Sequence, residues 1–244
     1  KAKETGKNTY QFFSPELNDK SYERLLLSNQ LRKGLDNNEF FVYYQPLFNV
    51  REKRIETFES LVRWKSNDLG FMTPDKFIPI AEDTGLIIPM GYEVLRQACL
   101  QGKRWEEEGL HRFRLSINLS ARQFTHSNIT QSLQSVLEET GYDPRNLELE
   151  ITESILIEDI KKVSITLEIL KKMGVSIVID DFGTGYSSLS YLNRLPIDKL
   201  KIDKSFVQDI DNKSTHCGTL AAAIIALSKS LNLEVVAEGV ETEE

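Results

Sequence analysis

Residues 147–152 read Leu-Glu-Leu-Glu-Ile-Thr, and this alternation of apolar and acidic residues predicts a β-strand with both glutamates on one face. A helical segment, Glu158–Met173, follows, because its apolar residues recur at helical spacing and Gly174 can end it. The next stretch, Val175–Asp180, is again apolar and rich in β-branched residues. Strand, helix and strand in this order indicate βα units and a mostly parallel sheet.

The same alternation runs through the rest of the chain, with further helices predicted over Ser21–Leu35, Gly91–Glu108 and Thr215–Leu231. Seven strands with intervening helices are one strand short of a (β/α)8 barrel of about 250 residues. We therefore predict an α/β fold, a TIM-like (β/α)8 barrel over residues 21–244 whose eighth strand is missing from this chain, preceded by a tail or linker over residues 1–20. The predicted strands are Phe40–Phe48, Ile55–Trp64, Phe113–Leu119, Leu147–Thr152, Val175–Asp180, Lys199–Asp203 and Glu234–Ala237.

Composition narrows the range of functions. The 244 residues carry 30 Lys and Arg against 37 Asp and Glu, a net charge of −7. Duplex nucleic acid is bound mainly by clustered Lys and Arg, which are missing here, so a DNA partner is disfavoured. The sequence shows neither a membrane-spanning run nor a signal peptide. Cys99 and Cys217 make neither a disulfide framework nor a zinc site, and we predict a cytoplasmic domain, although its parent protein could be membrane-anchored upstream.

Polar residues stand at or near the ends of successive predicted strands. In a parallel barrel these ends meet at one mouth, where active sites lie. For any one residue, a solvated surface charge is the commoner explanation. Six charged or amide positions at matching places favour a shared site instead, and Lys201 is expected to point inward between Leu200 and Ile202. These positions are Glu59, Asn118, Glu150, Asp180 with Asp181, Lys201 and Glu238.

The chemistry of this set indicates a metal-assisted hydrolase. Carboxylates and one amide oxygen, without a His or Cys cluster, suit Mg²⁺ or Mn²⁺ and disfavour zinc. The neighbours Asp180 and Asp181 could support two ions, the arrangement that favours hydrolysis of a phosphodiester. Lys201 could stabilise developing charge or hold the attacking water, and Glu238 could accept a proton or bind a metal.

Seven ordered motifs resemble a known family. Together they are similar to the EAL domain, the bacterial cyclic di-GMP phosphodiesterase, from about Leu31 to the end of the chain. The signature triplet reads Glu59-Ser60-Leu61, with serine in place of the usual alanine. The motifs are Tyr44-Gln45-Pro46, Glu59-Ser60-Leu61-Val62-Arg63-Trp64, Ile117-Asn118-Leu119-Ser120, Glu150-Ile151-Thr152-Glu153, the segment from Asp180 to Ser188, Leu200-Lys201-Ile202-Asp203 and Glu238-Gly239-Val240-Glu241.

This resemblance implies roles for individual residues. Glu59, Asn118, Glu150 and Asp180 would bind one divalent ion, and Asp181 with Asp180 a second, with Glu238 also within the metal set. Lys201 and Glu238 would act on the attacking water, beside Glu59. Gln45, Leu61 and Arg63 would contact substrate. The segment that couples metal occupancy and dimerisation to activity would comprise Glu153, Phe182, Gly183, Thr184, Gly185 and Ser187.

The resemblance also implies the reaction and the partners. The product would be linear 5′-pGpG, Mg²⁺ or Mn²⁺ would support turnover, and Ca²⁺ would inhibit it. The family's last strand, which carries a Gln-Gly pair, would lie beyond Glu244. Lys1–Phe13 resembles the closing segment of a GGDEF diguanylate cyclase domain, or is a linker, so a GGDEF-EAL tandem parent and a homodimer are expected. The alternatives are a receptor that holds cyclic di-GMP without cleaving it and a scaffold that only dimerises.

Overall fold

The computed structural model describes residues 15–126, 128–158, 160–184, 192, 194–208 and 217–240. All seven predicted strands form, together with a short additional one. The eight strands are β1 (Phe40–Asn49), β2 (Arg54–Ser66), β3 (Gly70–Met72), β4 (Arg114–Leu119), β5 (Leu147–Thr152), β6 (Ser176–Phe182), β7 (Lys199–Ile202) and β8 (Glu234–Ala237).

Helices separate most of these strands, as the prediction requires. They are α1 (Pro15–Asp36), α2 (Pro74–Thr84), α3 (Ile87–Glu107), α4 (Ala121–His126), α5 (Ile129–Thr140), α6 (Ile155–Glu158), α7 (Ile160–Lys172), α8 (Lys204–Val207) and α9 (Cys217–Ser230), with a 3-10 turn over Pro144–Asn146. Among the described residues, none of these helices is both long and apolar enough to cross a membrane.

A single curved sheet connects the strands in the order β1-β2-β4-β5-β6-β7-β8, with β3 attached to β2. Every pairing from β2 to β4 and on to β8 is parallel. This is the α/β barrel architecture expected from the sequence. Within the described part of the chain, β1 and β8 are the ends of the path, and the ring does not close.

The first strand departs from the parallel pattern. β1 runs antiparallel to β2 in a hairpin, because only four residues separate Asn49 from Arg54 and a parallel crossover needs a dozen or more. The Asn49 side-chain oxygen accepts hydrogen bonds from the backbone N–H groups of Arg51 and Glu52, both at 2.9 Å, which holds the turn.

In the N-terminal half α2 was not among the predicted helices, and two helices begin earlier than predicted, α1 starting at Pro15 rather than Ser21 and so inside the predicted tail. α2 has Pro74 in its first turn and ends at Gly85, whose φ of 81° is left-handed, and both are ordinary helix-boundary signals. The helix predicted over Gly91–Glu108 starts at Ile87. These helices pack on the outer face of the hairpin, where Trp64 and Phe40 are buried. Trp64, the last residue of the signature motif, is therefore a packing residue.

The main core lies between the outer face of the parallel strands and the helices. Leu115, Ile117, Leu149, Ile151 and Leu200 are almost fully buried there. Because side chains alternate across a strand, their neighbours in sequence point to the inside of the curved sheet. That inside face carries the polar residues of the candidate site.

Candidate active site

Lys201 is the centre of the polar cluster at the mouth of the barrel. Its side chain is only 2% exposed, and Nζ lies 2.7 Å from Glu150 Oε2, 2.6 Å from Glu238 Oε1 and 3.2 Å from Asp180 Oδ1. The carboxylate of Glu59 lies 3.4 Å away. One ammonium group therefore contacts four carboxylates from four different strands or strand ends, and the expected inward orientation of Lys201 is observed.

Strand register brings these residues together. Asn118 on β4 pairs with Glu150 on β5, and Thr152 pairs with Asp180 on β6. Asn118 Nδ2 also donates a hydrogen bond of 2.8 Å to Glu59 Oε1. The structure thus brings together Glu59, Asn118, Glu150, Asp180, Lys201 and Glu238, the set expected from the sequence.

Glu59 does not stand at the end of its strand, contrary to the sequence interpretation. β2 continues to Ser66, but its parallel pairing with β4 stops at Ser60 opposite Ile117. The rest of β2 pairs with β1 and β3 and extends beyond the barrel mouth. Glu59 therefore sits at the mouth because the barrel part of its strand ends there.

Ser116 belongs to the site and was missed. It is fully buried, and its Oγ donates a hydrogen bond of 2.5 Å to Glu150 Oε1. The other oxygen of Glu150 contacts Lys201, so both carboxylate oxygens are held. Its position in the sequence could have indicated this role, because Ser116 lies two residues before Asn118 and therefore on the same strand face.

The electrostatics of the cluster favour a charged lysine. Burial lowers the pKa of Lys201, but attraction by Glu150, Glu59 and Asp180 more than offsets this and raises the pKa above its ordinary value. Burial raises the pKa of Glu150 above the ordinary value of a glutamate. Burial likewise raises the pKa of Glu238, against the opposing effect of Lys201.

Asp181 extends the cluster away from Lys201. Its backbone is left-handed, with φ of 53°, at an irregularity in the pairing of β6 with β7. Burial raises its pKa, as do the charges of Asp180, Asp203 and Glu238. Carboxylate oxygens of Asp180, Asp181 and Glu238 all lie within 4.8 Å of one another. An all-oxygen set of this kind fits Mg²⁺ or Mn²⁺.

Comparison with known protein families identifies the family of this chain. The EAL domain family matches residues 28–244. The chain belongs to the EAL domain family. Its relatives include the bifunctional diguanylate cyclase/cyclic di-GMP phosphodiesterase MucR of Pseudomonas aeruginosa, 42% identical over 99% of this chain and 35% of that protein. The cyclic di-GMP phosphodiesterase PdeR of Escherichia coli is 40% identical over 99% of this chain and 36% of its own length.

A solved structure, the PaMucR phosphodiesterase in complex with c-di-GMP, has the same fold. Its TM-score is 0.85 at 42% identity, over 89% of this chain and 88% of that one. The chain spans about a third of the length of the curated relatives it matches.

The segment after β6 of this EAL domain is tied to Glu153. The backbone N–H of Gly183 donates a hydrogen bond of 3.1 Å to Glu153 Oε2, and Phe182 is buried. Thr184 Oγ1 donates to the Asp181 carbonyl at 2.8 Å. Of the residues expected in this coupling segment, Gly185 and Ser187 lie outside the described residues.

The three residues expected to contact substrate share one face of the β1–β2 hairpin. Gln45 pairs with Glu59, and Leu61 and Arg63 follow Glu59 at two-residue steps. The Arg63 guanidinium carbon lies 5.6 Å from the centre of the Tyr43 ring. This face of the EAL domain continues outward from the acidic cluster.

A second ion pair lies inside the EAL barrel, one layer further from the mouth. Lys199 Nζ is 2.9 Å from Glu148 Oε1, and both side chains are buried. Arg114 contacts the same Glu148 oxygen at 2.9 Å. Because Glu148 and Lys199 precede Glu150 and Lys201 by two residues on the same strands, the two ion pairs are stacked.

Proposed function

We propose that this EAL domain hydrolyses cyclic di-GMP to linear 5′-pGpG in a reaction that requires Mg²⁺ or Mn²⁺. The single observation that carries the proposal is the contact of Lys201 Nζ with four carboxylates, at 2.6 to 3.4 Å. The relatives named as cyclic di-GMP phosphodiesterases support the choice of substrate.

The metal set of the proposal is Glu59, Asn118, Glu150, Asp180, Asp181 and Glu238. Bound divalent cations would polarise a phosphoryl oxygen and lower the pKa of a water molecule. The carboxylates would hold such ions beside the buried lysine, where a low dielectric strengthens electrostatic attraction. Ca²⁺, which accepts longer and less regular coordination, is expected to inhibit.

Catalytic roles follow from charge and exposure. The Lys201 ammonium stabilises negative charge that develops on the phosphoryl oxygens during displacement. Glu238 is the more exposed of the carboxylates around Lys201, with 27% of its side chain accessible, and it accepts a proton from the attacking water. The water forms a new bond to phosphorus, the bond from phosphorus to the 3′ oxygen breaks, and that oxygen takes a proton from solvent as it leaves.

The remaining residues bind the substrate or couple the site to dimerisation. Gln45, Leu61 and Arg63 contact cyclic di-GMP, while Glu153, Phe182, Gly183, Thr184, Gly185 and Ser187 couple metal occupancy to a homodimer. A parent protein with a GGDEF domain is supported by the name of the MucR relative and by the share of that protein matched. We propose that the EAL domain acts in the cytoplasm.

Removal of Glu59 tests the metal assignment. Glu59→Ala deletes a carboxylate at the barrel mouth and is expected to abolish turnover while the far-ultraviolet circular dichroism stays that of the parent. Turnover within a few-fold of the parent would contradict the assignment.

Removal of Lys201 tests the chemical role. Lys201→Ala is expected to lower kcat far more than it raises KM, because the ammonium acts mainly in the transition state. If kcat falls no more than KM rises, Lys201 has a role in substrate binding instead. If the unmodified EAL domain binds cyclic di-GMP tightly but does not convert it, the receptor alternative is favoured over hydrolysis.

A further inference from the structure

An aromatic ledge, formed by Phe41, Tyr43 and Phe71, lies on the sheet face that carries Glu59. In the hairpin register, Tyr43 stands opposite Leu61 and Phe41 opposite Arg63, and Phe71 on β3 stands opposite Lys65. Because residues two apart share a face, the ledge is the outward continuation of the catalytic face.

The three rings form a row, with Phe41 between Tyr43 and Phe71. The ring centres of Phe41 and Tyr43 are 5.4 Å apart, and those of Phe41 and Phe71 are 6.3 Å apart, both pairs edge-to-face. Tyr43 is 53% exposed and Phe71 54% exposed. The hairpin's hydrophobic core lies on the opposite face, around Phe40 and Trp64, so the ledge adds nothing to that core.

Two cations accompany the rings. The Arg63 guanidinium lies over the Tyr43 ring, and Lys65 is on the same face, opposite Phe71. At about 3.4 Å per residue, Tyr43 lies about 7 Å and Phe41 about 14 Å beyond the level of Glu59. Flat apolar rings beside positive charges are the pattern that binds nucleobases and their phosphates.

We propose that the aromatic ledge is a subsite for a guanine base of the substrate, a specificity element additional to Gln45, Leu61 and Arg63. The choice of guanine rests on the proposed function, which names cyclic di-GMP as the substrate. Its occupant follows from two features: the ledge is continuous with the candidate active site, and its charge is opposite to that of a phosphodiester.

Alanine variants of the ledge test the proposal. Tyr43→Ala and Phe71→Ala are each expected to raise the KM for cyclic di-GMP about 5- to 150-fold, the loss of one base stacking contact. The kcat is expected to stay within about twofold of the parent, because the lost contact is equally present in ground and transition states. Tyr43→Phe keeps the ring and is expected to restore most of the affinity.

Phe48→Ala is the matched control. Phe48 is 61% exposed on the same strand as Tyr43, but it stands at the other end of the hairpin. The proposal is overturned if the ledge variants have the KM of Phe48→Ala, or if kcat falls while KM is unchanged.

A second measurement separates this proposal from the proposed function. Calorimetric titration of the purified protein with GMP and with ribose 5-phosphate compares ligands with and without the base. Even if the parent shows no turnover, a selective loss of GMP binding in Tyr43→Ala supports the ledge. Equal affinity of the parent for both ligands, or GMP binding unchanged in the variant, overturns it.

Discussion

Two buried serines on neighbouring strands have opposite surroundings. Ser60 stands beside Ile117 across the β2–β4 pairing, and it is the one described residue whose buried side-chain oxygen lacks a hydrogen-bond partner. Ser116 points into the barrel and donates to Glu150. A buried hydroxyl without a partner costs free energy, whereas one that orients a charged ligand contributes to function. The same substitution should therefore have different effects at these two positions.

Ser60→Ala is expected to raise the free energy of unfolding by about 1 kcal/mol, because it removes an unpaired buried polar atom with little loss of volume. The variant also restores the usual residue of the family signature. Urea denaturation measures the change. Destabilisation by a similar amount would show that the hydroxyl has a partner.

Ser116→Ala is expected to weaken divalent metal binding about 10- to 100-fold, the usual effect of losing a hydrogen bond to a ligating carboxylate. Electron paramagnetic resonance of free Mn²⁺ measures binding directly, and turnover should recover at saturating metal. Ser60→Ala is the control. Identical metal affinity in the two variants would show that Ser116 does not orient Glu150.

At the scale of elements, β5 and β7 carry two stacked ion pairs, and these make different contributions. The pair at the mouth, Glu150 with Lys201, is surrounded by further carboxylates. The pair below it, Glu148 with Lys199, is buried further from the mouth. We assign a structural role to the lower pair, since it lies among β-strand side chains and outside the acidic cluster.

Breaking the lower pair is expected to destabilise the fold. Glu148→Leu removes the buried carboxylate shared by Lys199 and Arg114 and leaves Lys199 with only the exposed Glu234, 3.5 Å away, and it should lower the free energy of unfolding by about 3 kcal/mol. The double variant Glu148→Leu with Lys199→Met replaces both charges by apolar groups and should recover most of the loss. A double-mutant cycle in urea measures the coupling, and additive losses would mean that the pair is not a unit.

Local patterns predicted much of this architecture, and the pairing between strands accounts for the rest. The seven strands and the inward direction of Lys201 follow from alternation within single stretches of sequence. The antiparallel β1, the mid-strand position of Glu59 and the role of Ser116 depend on which strands become neighbours. The periodicity of apolar residues within one segment does not indicate which strands become neighbours. The aromatic ledge is of the same kind, because Phe41 and Phe71 meet only through the register of β1, β2 and β3.

At the scale of the whole molecule, the EAL domain combines an apolar outer layer with a charged interior. The outer layer holds the strands in register, and the register brings one lysine within reach of four acids from strands far apart in sequence. Lys201 and Glu59 are 142 positions apart. The proposed activity therefore depends on the whole curved sheet, and neither the lysine nor the acids would act alone.

The most direct test of this account is chromatography and mass spectrometry of cyclic di-GMP incubated with the purified protein, Mg²⁺ and water labelled with heavy oxygen. We expect conversion to linear 5′-pGpG that carries one labelled oxygen on its 5′-phosphate, and no conversion by Glu59→Ala. Cyclic di-GMP that is bound but recovered intact, or equal conversion by Glu59→Ala, would contradict it.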